Sequence, residues 1–205
     1  SSFLQRAYDN IIHDVALPKL HVIFCIDRAG IVGNDGATHH GLLDLAYLRP
    51  IPNMIIGAPM LSTDLQQMMR LAKDVNGPIA IRYPRGRSIN RTGVPPVVLG
   101  QGVCIKHGSQ VAVLSIGAIG NTVIDAINSM GIDKKNLFAH YDMRWLKPLD
   151  ELILEEVAEH FHTIVTVEDG VINGGLGSAV AEYMSGIRDR ESGIGKRVIR
   201  LGVND

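Results

Sequence analysis

An α/β fold of two consecutive domains, each built on a parallel sheet, is predicted by three features of the 205-residue sequence. Short apolar runs alternate with segments of helical period, and no tight hairpin turns join those runs. The stretch 84–100, PRGRSINRTGVPPVVLG, breaks the alternation once and reads as the passage between domains. With 46% hydrophobic and 20% charged residues the chain is globular rather than disordered, and 20 Lys and Arg against 21 Asp and Glu leave no basic footprint for nucleic acid.

The elements follow in order. Phe3, Leu4, Ala7, Ile11, Ile12 and Val15 recur close to i, i+4, i+8, so an amphipathic helix is expected over 2–17, stopped by Pro18. Next come a strand over 21–26, a glycine-rich loop, a short helix over 42–48, a strand over 54–58, a helix over 62–75 with Ser62 as N-cap, and a strand over 78–83. Domain boundaries are set at 1–86, with 87–100 as linker and 101–205 as the second domain. The second domain reads as strands over 102–106 and 110–115, helix 121–130, strand 137–141, helix 148–161, strand 163–167, helix 177–187 and strand 197–201. Pro148 suits the first turn of its helix, with Asp150 and Glu151 near the positive end of the dipole. Three strands are few for a covered parallel sheet, so a piece of a larger protein is expected. Cys25 and Cys104 lie in apolar runs and are expected to be buried thiols of a reducing compartment. No apolar run approaches the roughly 18 residues of a membrane span, and no zinc-type Cys/His spacing is present.

Ligands of open parallel sheets bind beyond the carboxyl ends of the strands. Two such ends carry reactive groups. The loop 27–41, DRAGIVGNDGATHHG, displays Arg28, Asp35, His39 and His40 on a backbone loosened by glycines, and the strand ending in Ile81-Arg82-Tyr83-Pro84-Arg85-Gly86 carries two arginines. If the strands are neighbours, Arg28 and either Arg82 or Arg85 converge, and paired arginines hold phosphate or carboxylate because each planar fork matches two oxygens. A surface ion pair is the plainer reading of either arginine alone. Histidine moves protons near neutral pH, and two beside Asp35 invite a metal reading. Adjacent side chains diverge, however, so no metal site is expected. The remaining histidines are read as structural. Ser115-Ile116-Gly117-Ala118-Ile119-Gly120 lacks the signature of a phosphate loop. Glu168-Asp169-Gly170 with Gly174-Gly175-Leu176-Gly177 is read as a close backbone crossing or a subunit contact rather than a ligand site.

Taken together, Ser2-Phe3-Leu4-Gln5-Arg6-Ala7-Tyr8-Asp9, Asp27-Arg28-Ala29-Gly30, Asp35-Gly36-Ala37-Thr38-His39, Arg82-Tyr83-Pro84-Arg85-Gly86, Lys147-Pro148-Leu149-Asp150 and Glu168-Asp169-Gly170 resemble the 1-deoxy-D-xylulose-5-phosphate synthase family. This family is transketolase-like, and the resemblance covers its C-terminal portion. It implies a partial pyrimidine-binding domain over 1–86 and a transketolase C-terminal domain over 101–205. It also implies a thiamine-diphosphate-dependent transferase, with Mg2+, that joins pyruvate to D-glyceraldehyde 3-phosphate and releases CO2 for isoprenoid, thiamine and pyridoxal synthesis. By the same resemblance Phe3 and Arg6 contact the cofactor, Arg28 and Arg85 hold the substrate phosphate, and Asp35 and His39 are catalytic. A homodimer in a bacterial cytoplasm is implied too. The family's amino-terminal domain, with the diphosphate and Mg2+ site and the activating glutamate, has no counterpart in these residues, so the chain alone is expected to be inactive. Competing readings are a β-type subunit of a 2-oxoacid dehydrogenase or split transketolase, and a noncatalytic phosphometabolite-binding α/β module.

Overall fold

A computed structural model describes residues 1–87, 89–187 and 195–204. Ser88, within the predicted linker, lies outside the described residues. The chain opens with a 3-10 turn Leu4–Ala7, the short α1 (Tyr8–Asn10) and a π-helical stretch Ile11–Ala16. The π stretch suits the buried pair Ile11 and Ala16, spaced five apart; Leu17 N–H donates to Ile12 O at 2.9 Å, an i+5 bond. Then come β1 (Ile23–Ile26), 3-10 turns at Gly33–Asp35 and Ala37–His39, α2 (Asp44–Leu48), β2 (Ile55–Gly57), α3 (Ser62–Ala72) and β3 (Ile79–Arg82). After the linker follow β4 (Val103–Lys106), β5 (Val111–Ser115), α4 (Ile119–Ser129), α5 (Ile132–Lys135), β6 (Phe138–Asp142), β7 (Trp145–Lys147), α6 (Glu151–His160), β8 (Thr163–Val171), α7 (Leu176–Met184) and β9 (Arg197–Val203).

Two sheets result, ordered β1-β3-β2-β7 and β4-β6-β5-β8-β9. Parallel pairing dominates both, as the alternation of apolar runs and helices predicts. One edge strand in each sheet is antiparallel: β7 beside β2, and β4 beside β6. For β4 the cause is the short return through 107–110, which must pass the start of β6; a Cβ on Gly108 would lie 2.1 Å from the Phe138 backbone. Only glycine permits so close a crossing.

Strand β7 is the larger surprise. It comes from beyond the linker yet completes the first sheet, and its Trp145 is buried against Gly57, where a Cβ would stand 2.8 Å from the indole ring. The main apolar core is accordingly continuous across both sheets, from Ile26, Leu48 and Ile56 to Leu114, Tyr141 and Val180. The linker is strapped down by the residues around β7. Arg144 donates to Pro95 O at 2.8 Å and Pro96 O at 3.0 Å, and Trp145 Nε1 donates to Val98 O at 2.9 Å.

Three local expectations are corrected. Leu61, not Ser62, caps α3, because the Asp64 carboxylate turns back to accept Leu61 N–H at 3.2 Å. Pro148 precedes rather than opens α6, whose cap is Asp150, accepting Ile153 N–H at 3.1 Å. Cys25 is exposed, because β1 is an edge strand and alternate residues of a strand face opposite sides. Among the described residues no helix is long and apolar enough to cross a membrane.

Candidate active site

The loop after β1 closes on itself at a narrow neck. Gly30 and Gly41 exchange both backbone hydrogen bonds, each at 2.9 Å, and Ala29 N–H donates to Tyr83 O at 3.1 Å beyond the end of β3. Gly30 sits at φ 78° and Gly36 at φ 77°, the left-handed region that glycine enters without penalty. Arg28 is held at φ 55°, which no Cβ-bearing residue adopts freely.

Strands β1 and β3 are adjacent, with Ile26 opposite Arg82, so the chain ends leaving them share one edge of the sheet. There Arg28 Nη1 and Arg85 Nη1 each donate to the same atom, Asp35 Oδ2, at 3.0 Å. Two guanidinium groups therefore converge on one oxygen. The three side chains are partly to largely open, at 40% for Arg28, 61% for Arg85 and 26% for Asp35, so the convergence point faces solvent. Beside Arg85 a cleft of about 370 Å³ opens between Met60, Leu61, Leu65, Tyr83 and Asn121.

Arg82 has a different environment. Only 3% exposed, it donates through Nε to both Asp44 oxygens at 2.9 and 3.0 Å, through Nη2 to Gly41 O at 3.0 Å, and through Nη1 to the Asp169 carboxylate. The alternatives left by the sequence are thus separated: Arg82 is an internal tie and Arg85 the open group. The available signal was that Arg82 continues the apolar run Ile79-Ala80-Ile81 as the last residue of β3, whereas Arg85 lies beyond Pro84.

At the amino end of the chain Phe3 is 53% exposed, and the His39 ring meets it edge to face, with centroids 5.3 Å apart at 88°. The Arg6 guanidinium lies over the same ring at 5.3 Å, a cation–π contact. His39 Nδ1 is 2.9 Å from Thr38 Oγ1. His40 has a different partner, accepting Val32 N–H on Nδ1 at 3.1 Å. Among the described residues no group of three or more His, Cys, Asp or Glu is arranged to hold a metal ion.

The other strand ends have structural duties. Ser115 Oγ lies 2.8 Å from His140 Nε2, and burial holds the His140 imidazole down at about 4. A Cβ on Gly120 would approach Met60 Sδ to 2.6 Å, so that glycine lets α4 pack against the first domain. Glu168, raised in pKa by burial, accepts Leu176 N–H at 3.0 Å and Gly177 N–H at 2.8 Å, satisfying the free donors at the start of α7. The sequence offered no sign that Asp44 and Asp169 meet at Arg82.

A family model of the transketolase pyrimidine-binding domain matches residues 1–89, and one of the transketolase C-terminal domain matches residues 100–205. The chain belongs to the transketolase family. Within it the motif resemblance to 1-deoxy-D-xylulose-5-phosphate synthases extends along the whole chain: the synthases of Parabacteroides distasonis and Bacteroides fragilis are each 50% identical over 209 residues, covering 100% of this chain and 32% of theirs. That of Cytophaga hutchinsonii is 46% identical over 210 residues, again covering 32% of its length. The chain therefore spans about a third of the length of these curated relatives. A solved split-gene transketolase, described as an inactive β4 tetramer, matches with a TM-score of 0.85 at 30% identity, over 100% of this chain and 65% of its own. The transketolase of Campylobacter jejuni shares the fold at a TM-score of 0.63 and 18% identity, over 89% of this chain and 32% of its own.

Proposed function

We propose that this chain forms the acceptor side of a thiamine-diphosphate-dependent active site, at which pyruvate is condensed with D-glyceraldehyde 3-phosphate to 1-deoxy-D-xylulose 5-phosphate with release of CO2. The observation that carries this reading is the convergence of Arg28 and Arg85 on one oxygen at 3.0 Å each. Asp35 Oδ2 marks the point a phosphate oxygen would take. A phosphate presents more acceptor oxygens and more charge to the same two forks than one carboxylate does, and each charge-assisted bond contributes about 1.5–3 kcal/mol.

The remaining roles follow from position. Phe3, more than half exposed between His39 and Arg6, fits the pyrimidine ring of the cofactor by stacking its open surface. When bound, thiamine diphosphate supplies the carbon nucleophile of the condensation. We assign to His39 the proton delivered to the aldehyde oxygen as it becomes a hydroxyl, while Arg28 and Arg85 hold the other end of the substrate so that its carbonyl is presented in one orientation. Asp35 and Arg6 complete the polar surround. The cofactor's diphosphate, its Mg2+ and the activating glutamate are assigned to the two thirds of the relatives' length that this chain does not span. The likeness to a chain of a split-gene transketolase favours a second arrangement, in which those parts belong to a separate partner chain.

Both arrangements predict that the 205-residue chain, supplied with pyruvate, D-glyceraldehyde 3-phosphate, thiamine diphosphate and Mg2+, makes no product; product formation overturns that prediction. The acceptor assignment is tested by calorimetry. D-glyceraldehyde 3-phosphate should bind this chain, and unphosphorylated D-glyceraldehyde should not. Equal affinity for the two would remove the basis of the phosphate clamp.

A further inference from the structure

Asp169 has no part in the reading of the active site, and it belongs to the other domain. It lies on β8, whose pairing with β9 slips between Val167 and Val171, so that Glu168, Asp169 and Gly170 leave the regular ladder. The displaced residues turn toward the neck of the loop 27–41. The Asp169 carboxylate bonds Arg82 Nη1, and Asp169 O accepts from Arg82 Nη2 at 3.2 Å. That same Nη2 donates to Gly41 O at 3.0 Å, and Val171 N–H donates to Leu42 O at 3.0 Å. On the other side of the neck, a Cβ on Gly30 would come within 2.6 Å of Asp169 Oδ2. Both sides of the neck are thus in contact with one aspartate, or with the arginine it holds.

We propose that Asp169 is a positioning residue: with Arg82 it fixes the neck of the loop and thereby the placement of Arg28, Asp35 and His39. The physical reason is the balance of forces at the neck. Arg28 is held at an unfavourable φ of 55°, and the Gly30–Gly41 pair consists of only two backbone bonds. The buried guanidinium has Asp44 on the first domain and Asp169 on the second as its carboxylate partners. Removing Asp169 leaves that charge half compensated and frees the side of Gly30 against which the neck is pressed. A merely adhesive role would make Asp169 equivalent to other ties between the domains. One such tie is Arg49 Nη1 to Glu182 Oε1 at 3.0 Å, which does not touch the loop.

The experiment compares amide hydrogen exchange in the 205-residue chain with Asp169→Ala, Asp169→Asn and Glu182→Gln. Exchange in 29–41 should accelerate about tenfold or more in Asp169→Ala and less in Asp169→Asn, which keeps an uncharged acceptor for Arg82. Glu182→Gln should leave that loop unchanged, and β5 should stay protected in all three. If Asp169→Ala loses its fold, Asp169→Asn decides alone. Acceleration confined to 29–41 supports the inference; no acceleration, or equal acceleration in β5, overturns it. The consequence for ligand binding rests on the phosphate-clamp reading and is measured separately: D-glyceraldehyde 3-phosphate should bind Asp169→Ala several-fold more weakly than the unsubstituted chain. If the unsubstituted chain fails to bind that ligand, the clamp reading fails while the exchange result still decides the role of Asp169. If binding is present and unaffected by Asp169→Ala, the positioning role is lost and the clamp survives.

Discussion

Arg28 and Arg85 reach the same carboxylate oxygen from two chain segments 57 positions apart, so each is replaceable without disturbing the other's backbone. Losing either should weaken binding of D-glyceraldehyde 3-phosphate about tenfold to a hundredfold, the equivalent of one charge-assisted bond, as read by calorimetry. Asp35→Ala should act in the opposite direction on the isolated chain and tighten phosphate binding, since Asp35 competes for the same donors. A weakened Asp35→Ala would mean that the carboxylate holds the arginines in place rather than competing with the ligand. At this scale the sequence was informative where a residue stood just beyond a strand end in an unusual setting, as Arg28 and Arg85 do. It was uninformative about Asp44 and Asp169, because an acidic side chain on a helix or strand has the same local pattern whether it meets water or a buried arginine.

Elements were legible to the extent that they carry their own period. Helices α3, α4, α6 and α7 and the parallel strands follow from apolar spacing; their ends differ from it by up to four residues, and at α6 the start is set by Asp150, whose carboxylate captures the Ile153 amide. Strand β7 has three residues, too few for any period, and the partners that make it a strand lie far back in the chain: Gly57 opposite Trp145, 88 positions away, and Ile56 opposite Lys147, 91 away. The start of α7 offers a test of element-level packing. A Cβ at Gly175 would sit 1.9 Å from Glu168 Oε2, so Gly175→Ala must displace the carboxylate that accepts the first amides of the helix. A loss of about 1–3 kcal/mol in urea unfolding is expected. Gly186→Ala, with no atom of the described residues within 4 Å of the new carbon, should be nearly neutral.

Two buried groups contribute to the pH dependence of the whole molecule with opposite sign, beside Asp64 and Glu168, whose carboxyls burial also raises. Burial pushes Asp142 from 3.8 up to about 7, despite Arg144, and holds His140 from 6.5 down to about 4. The folded state keeps the Asp142 proton after the unfolded chain has lost it, so this contribution is full below pH 3.8 and disappears as pH rises through about 7. The His140 contribution is full above pH 6.5 and is lost as pH falls through about 4. In wild type the two offset each other over the shared interval. Asp142→Asn should therefore show stability that climbs with pH, relative to wild type, between 3.8 and about 7, measured by urea unfolding at a series of pH values. A difference independent of pH would mean that Asp142 is ionised throughout that interval in the folded protein.

The exchange of β7 across the linker bears on how such a chain can be divided. A boundary near residue 90 separates the two family domains in sequence, but a protease that cuts after Arg85, Arg87 or Arg91 would produce two pieces that stay wedded, because the second holds the edge of the first one's sheet and hides Trp145 beneath it. Gel filtration of a trypsin-nicked sample should show one species of unchanged size. A gene split at that point would leave each product with an open seam, the first without its edge strand and the second with Trp145 uncovered.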